Sequence, residues 1–215
     1  MSVVVFGGSF NPIHYGHLVL ADEALEALGA DRVLFVPNAA PPHKPVEALA
    51  PAPDRYAMVA LAVAGNPRFA VSDLELSRPG PSYTVDTLEA LQATERDLHL
   101  LIGSETFLDL LTWRTPRRVA ALARLVVVPR VGSAFDAEGE AAQKVLREIG
   151  ARRFVHLPGG TAGEGSVLIV HATSLPVSAS DLRRRAREGR SLAYRLPEPV
   201  IAYIRDRGLY GSAAR

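Results

Sequence analysis

The sequence predicts an α/β protein with a doubly wound, mostly parallel sheet. Short continuous apolar runs recur along the chain, each bounded by turn residues, as strands covered on both faces require. Segments with apolar residues at helical spacing lie between them, so strand and helix alternate. No internal repeat and no linker interrupts the alternation.

Val3–Phe6 is the first such run. Leu18, Ala21, Leu25 and Leu28 then recur at helical spacing, and Gly29 is placed to cap the C-terminus. Val33–Val36 completes a βαβ unit, which is right-handed almost without exception. A proline-stiffened loop, Pro37–Pro45, leaves the C-terminal end of that strand, the edge where open α/β sheets bind ligands. Asp54 is expected to cap a helix reaching about Gly65, and Phe69–Val71 a short strand. After the loop Ser77–Ser82, a helix from about Thr84 carries Val85, Leu88 and Leu91 on one face.

His99–Ile102 is a further buried strand ending in Gly103-Ser104-Glu105, and Pro116 suits the first turn of a helix through Leu122. Leu125–Val128, Phe154–Leu157 and Val167–Val170 are strands, with a helix over 136–149 and a Gly-rich loop from Pro158 to Gly165. Ser178 or Ser180 caps a helix through about Glu188, and 198–207 forms the last one. The expected organisation is one domain over 1–210, with 175–210 a mainly helical C-terminal part and 211–215 a loose tail.

The 215 residues suffice for one large core, and a net charge of +1 offers no bulk attraction for nucleic acid or membrane. The absence of cysteine excludes disulfides, thiolate metal sites and cysteine nucleophiles, and fits a reducing cytoplasm. No signal peptide precedes Val3, and charges interrupt every apolar run well short of a membrane span. Homo-oligomerisation is left open.

Gly7-Gly8 ends the first strand and lets the backbone approach a ligand closely; His14 and His17 follow at the head of a helix. Free N–H groups and the helix dipole make such a junction an anion site, and each imidazole can add a donor. A capping histidine, a buried core histidine and a zinc site are the other readings. The zinc reading has neither HExxH nor a third ligand. Gly7-Gly8 is neither a P-loop nor a GxGxxG element.

Ser178-Ala179-Ser180-Asp181-Leu182-Arg183 offers hydroxyls at a helix start with Arg one turn in, a second anion site or a plain capping box. Two such sites in one chain suggest a substrate with several phosphates. Lys44, one of two lysines, lies in the loop at the ligand edge and suits a phosphate. Trp113, the only tryptophan, is either core or a stacking face for a flat ring. No carboxylate pair is arranged for acid/base work and no Gly-x-Ser-x-Gly elbow occurs, which points to catalysis by positioning and charge neutralisation.

Gly7-Gly8-Ser9-Phe10-Asn11-Pro12-Ile13-His14-Tyr15-Gly16-His17 matches the GGxFxPxHxGH signature of the HxGH nucleotidyltransferase superfamily. Pro41–Lys44, Arg78–Leu88, Ile102–Glu105, Trp113, Val177–Arg183 and the pattern Tyr203-Ile204 to Leu209-Tyr210 extend the match nearly end to end. Together they resemble the bacterial nicotinate-nucleotide adenylyltransferases. The resemblance implies a Rossmann-like nucleotidyltransferase fold and adenylyl transfer from ATP to nicotinate mononucleotide, giving nicotinate adenine dinucleotide and pyrophosphate in NAD biosynthesis. It implies that His14, His17 and Arg183 are catalytic. It places Gly7, Gly8, Ser9, Phe10, Gly103, Glu105 and Ser180 on ATP, and Lys44, Thr84 and Trp113 on the mononucleotide. Mg²⁺ is expected with ATP, with no protein metal site. Asn11 and Glu105 stand where the family commonly has Asp. Transfer to another phosphorylated acceptor, such as phosphopantetheine or nicotinamide mononucleotide, and a non-catalytic nucleotide-binding role are the alternatives.

Overall fold

The computed structural model describes residues 1–41, 49–129, 132–133 and 135–212. Seven strands form one sheet in the order β3-β2-β1-β4-β5-β7-β6. They are β1 (Ser2–Gly8), β2 (Arg32–Pro37), β3 (Phe69–Val71), β4 (Asp97–Gly103), β5 (Arg124–Val128), β6 (Arg153–Leu157) and β7 (Ser166–Val170). Every pairing is parallel, so the expected mostly parallel sheet is parallel throughout.

The alternation of side chains along a strand divides the apolar residues between two layers. Val4, Leu101, Val126 and Leu168 face one layer, built with α1 (Tyr15–Leu28), α2 (Ala52–Val63), α7 (Ala179–Arg187) and α8 (Glu198–Asp206). Val3, Val5, Leu100, Ile102, Leu125 and Val127 face the other. That layer holds α3 (Thr84–Leu91), α4 (Ser104–Leu108), α5 (Pro116–Leu122) and α6 (Glu140–Glu148). The central strands are therefore covered on both faces, which is why they read as unbroken apolar runs rather than alternating ones.

Three local expectations are corrected. The cap of α2 is Pro51, not Asp54, with a proline in the first turn. Pro53 has no N–H to lose there, and the Asp54 carboxylate instead accepts from Tyr203 Oη on α8 at 2.8 Å and from Nε of Arg207, just past its end, at 3.2 Å. Helix α6 starts at Glu140 rather than 136, because Asp136–Gly139 closes a turn through the Gly139 N–H and Asp136 carbonyl. The tail is not loose at its start: Leu209–Gly211 is a 3₁₀ turn, and Ser212 Oγ donates to the Ile204 carbonyl at 3.0 Å. Among the described residues no helix is long and apolar enough to cross a membrane.

Candidate active site

β1 leads to β2 on one side and, after two intervening strands in sequence, pairs with β4 on the other. The strand order reverses between β1 and β4. A crevice outside the carboxyl ends of these two strands is where such sheets take ligands. Gly7-Gly8 ends β1 and Gly103 ends β4, so the predicted nucleotide glycines meet there. Gly7 is exposed, and a Cβ on it would meet nothing within 4 Å, which leaves its backbone open to approach. A Cβ on Gly8 would sit 3.1 Å from the Phe10 ring. Phe10 is 3% exposed and packs edge-on against Phe6 and His17, so its ring faces the core. Only the Phe10 backbone is left to face a nucleotide.

The two histidines occupy unlike positions at the helix start. His14 is the residue before the helix, with extended backbone, and is buried; His17 lies in the first turn. The His14 backbone N–H donates to His17 Nδ1 at 3.2 Å. The rings stack with centroids 3.8 Å apart. Because Nδ1 of His17 accepts, the neutral ring carries its proton on Nε2, which makes Nε2–H a donor. Gly16 has a steric role in this arrangement: a Cβ there would fall 3.0 Å from the His14 ring. His14 is thus the cap residue by position, with its ring stacked on that of His17.

The helix start offers fewer open N–H groups than the sequence suggests. The Tyr15 N–H donates to the Arg195 carbonyl at 3.0 Å, and the His17 and Leu18 N–H groups donate to the His14 carbonyl. The donors left for the predicted anion site are the imidazoles and the glycine backbone.

The second predicted anion element lies beside the first. Ser178 is the cap of α7, its Oγ accepting from the Asp181 N–H and lying 3.2 Å from Ser180 Oγ. Arg183 Nη1 donates to the Asn11 carbonyl at 2.7 Å, across 172 residues of sequence. Asn11 is buried, and its Oδ1 accepts from the Ala50 N–H at 3.0 Å and Tyr210 Oη at 2.9 Å. Burial pushes the Tyr210 hydroxyl well above the ordinary tyrosine range, so it stays a donor.

On the other side of the crevice, Thr84 opens α3 and Trp113 follows the 3₁₀ turn Leu110–Thr112. Their neighbours bind the two segments together: the Arg114 guanidinium lies 4.9 Å from the Tyr83 ring centroid and 3.4 Å from Asp86 Oδ2. Trp113 is half-buried against the layer under α3 and α5, so it is both partly core and partly open. Glu105 lies exposed in the first turn of α4, its Oε2 3.7 Å from where a Gly103 Cβ would be. Lys44 lies outside the described residues.

Sequence reasoning did not single out Arg55, and it named Ser82 and Tyr210 only as parts of the family pattern, with no role. Arg55 is the largest fully buried side chain, and Ser82 ties two loops together. An arginine in register with Met58 and Val59 on the apolar stripe of α2 is the signal that could have found it.

Over residues 5–185 the chain matches the model of the cytidylyltransferase-like family. It is 41% identical over 208 residues to a probable nicotinate-nucleotide adenylyltransferase of Roseiflexus sp., covering 96% of both chains. It is 45% identical over 213 residues to one of Thermus thermophilus, covering 98% of this chain and all of that one. Among solved structures, the Plasmodium falciparum nicotinic acid mononucleotide adenylyltransferase complexed with NaAD has the same fold. Its TM-score is 0.73 at 17% identity, over 100% of this chain and 99% of that one. The HxGH turn, the α7 arginine and the Thr84–Trp113 wall thus sit in a sequence that runs end to end with these relatives, and the chain belongs to the nicotinate-nucleotide adenylyltransferases within the cytidylyltransferase-like family.

Proposed function

We propose that this protein transfers the adenylyl group of ATP to nicotinate mononucleotide, forming nicotinate adenine dinucleotide and releasing pyrophosphate. The observation that carries the reading is the bond from Arg183 to the Asn11 carbonyl. It brings the Ser180/Arg183 helix start against the His14/His17 turn, so one polyphosphate can span both.

In the reaction a phosphate oxygen of the mononucleotide forms a bond to the α-phosphorus of ATP, and the bond from that phosphorus to the bridging oxygen of the β-phosphate breaks. Attacking and leaving groups are both ionised phosphates at neutral pH, so no side chain has to move a proton. The need is for alignment and for donors where charge grows. His17, with a proton on Nε2, and His14 beside it supply N–H donors at the phosphates. Ser180 and Arg183 hold the β- and γ-phosphates that depart. Gly7, Gly8, Ser9, the Phe10 backbone, Gly103 and Glu105 border the ATP side, and Thr84 and Trp113 the mononucleotide side, with Trp113 stacking on the pyridine ring; the resemblance assigns Lys44 to the same substrate.

Magnesium enters as part of the substrate MgATP. The donors gathered here are imidazoles, a guanidinium and backbone groups, which suit phosphate oxygens. Among the described residues no three His, Asp or Glu side chains converge to hold a metal. Mg²⁺ ordinarily keeps several waters and binds substrate phosphates, and MgATP brings it in that form.

The test is direct. Wild-type protein with MgATP and nicotinate mononucleotide should release pyrophosphate in equal amount to the dinucleotide formed. No release would refute the reading, and faster turnover of nicotinamide mononucleotide would reassign the acceptor.

A further inference from the structure

Arg55 is 1% exposed, yet it is not placed as an ordinary buried ion. All three guanidinium nitrogens donate to main-chain carbonyls: Nε to Ala50 at 2.9 Å, Nη1 to Ser9 at 2.9 Å and Nη2 to Ala39 at 3.2 Å. These carbonyls belong to three separate segments: the turn after β1, the loop after β2 and the approach to α2. The connection continues on both sides. Asn11 Oδ1 accepts from the Ala50 N–H at 3.0 Å, which closes a ring through Ser9, Asn11, Ala50 and Arg55. Ser82 Oγ accepts from the N–H groups of Ala39 at 3.1 Å and Ala40 at 3.2 Å, and the Ser82 N–H donates to the Ala40 carbonyl at 2.9 Å. Ser82 lies two residues before Thr84, at the mouth of the mononucleotide side.

A continuous path therefore runs from Ser9 on the ATP side, through Arg55 and Ala39, to Ser82 and Thr84 on the other. Packing alone does not call for an arginine here. Met58 and Val59, one turn on, show that the same stripe of α2 accepts apolar side chains. Burying a cation is costly unless its donors are all satisfied, and the rigid guanidinium fork can satisfy three diverging carbonyls where a single ammonium cannot. Burial lowers the pKa of Arg55, with Tyr210 and Glu75 opposing.

We propose that Arg55 is a positioning residue that sets the distance between the two substrate half-sites for the in-line attack. It touches neither substrate; it holds the Ser9 turn and the Ala39 stretch, which is itself bonded to Ser82, in one frame. The inference rests on the adenylyl-transfer reading, and turnover by the wild type in the same assay separates failure of that reading from failure of this one.

The test compares Arg55→Lys, Ser82→Ala and the double variant. Each is measured for kcat, for KM of both substrates, and for the calorimetric Kd of ATP alone and of mononucleotide alone. Each half-site keeps its own contacts, so single-substrate Kd values should stay within about threefold. Relative position is lost, so kcat should fall by about tenfold or more in Arg55→Lys, and by a smaller factor in Ser82→Ala. The double variant should lose little beyond Arg55→Lys, because both cut one path. The inference is overturned if kcat stays within about twofold of wild type. It is equally overturned if both Kd values weaken in step with kcat, as a merely structural role would give. If Arg55→Lys does not fold, Ser82→Ala decides alone: a fall in kcat at constant Kd supports the path, and unchanged kcat overturns it.

Discussion

His17 Nδ1 lies 3.2 Å from the backbone nitrogen of His14 and accepts its proton, while the two imidazole rings stack with centroids 3.8 Å apart. One histidine thereby fixes the tautomer and the tilt of the other. His17→Ala should remove a preset donor at the transition state. We expect kcat to fall on the order of 10²–10³-fold, with the Kd for ATP changed by less than about threefold. Single-turnover kinetics beside calorimetry measures both, and a loss appearing only in ATP binding would contradict the assignment.

Gly16→Ala separates activity from stability. Alanine is the better helix former by about 1 kcal/mol, but its Cβ would press on the His14 ring at 3.0 Å. The variant should keep its Tm within a few degrees while kcat drops by about 10²-fold through displaced imidazoles. A thermal melt and a rate assay on one preparation decide it.

Tyr210→Phe removes the hydroxyl that donates to Asn11 Oδ1 at 2.9 Å. The expected cost is about 0.5–1.5 kcal/mol in chemical denaturation. Burial raises the Tyr210 pKa, so the native state favours the protonated form. Its contribution is complete below the unfolded-state value of about 10 and is lost as pH rises beyond it. Above that pH, wild-type stability should fall more steeply than that of the variant.

His99 titrates in the opposite sense. It is buried in β4 with Nδ1 3.3 Å from Ser2 Oγ, and burial lowers its pKa, opposed by Asp97 and reinforced by Arg124. The native state thus favours neutral imidazole, and stability is lost as pH falls below the unfolded-state value of about 6.5. The Tm of wild type should decline more between neutral pH and pH 5 than that of His99→Gln. Equal slopes would show that the imidazole is not held neutral.

The strands β1, β2, β4 and β5 were legible because burial on both faces demands unbroken apolar runs, a requirement local enough to read along the chain. The glycines at the ends of β1 and β4 were legible for a similar reason: an apolar run that stops at glycine marks its own end. The spacing of His14 and His17 was also on the page, but their inequality was not. A cap and a first-turn residue differ in backbone angles, and periodicity does not record that.

What the sequence by itself determined is the alternation of strands and helices, the turn that carries the HxGH signature, and the residue types able to hold phosphate. What only the tertiary structure decided is which distant groups complete the site. Arg183 reaches Asn11 across 172 residues, Tyr210 closes on the same asparagine from the end of the chain, and Arg55 joins the β1–α1 turn to both ends of the β2–α2 connection. Each of these bonds ends on a backbone carbonyl or a lone amide oxygen. Backbone acceptors occur at every residue and leave no mark in the sequence, so only folding shows which of them a given arginine or tyrosine will meet.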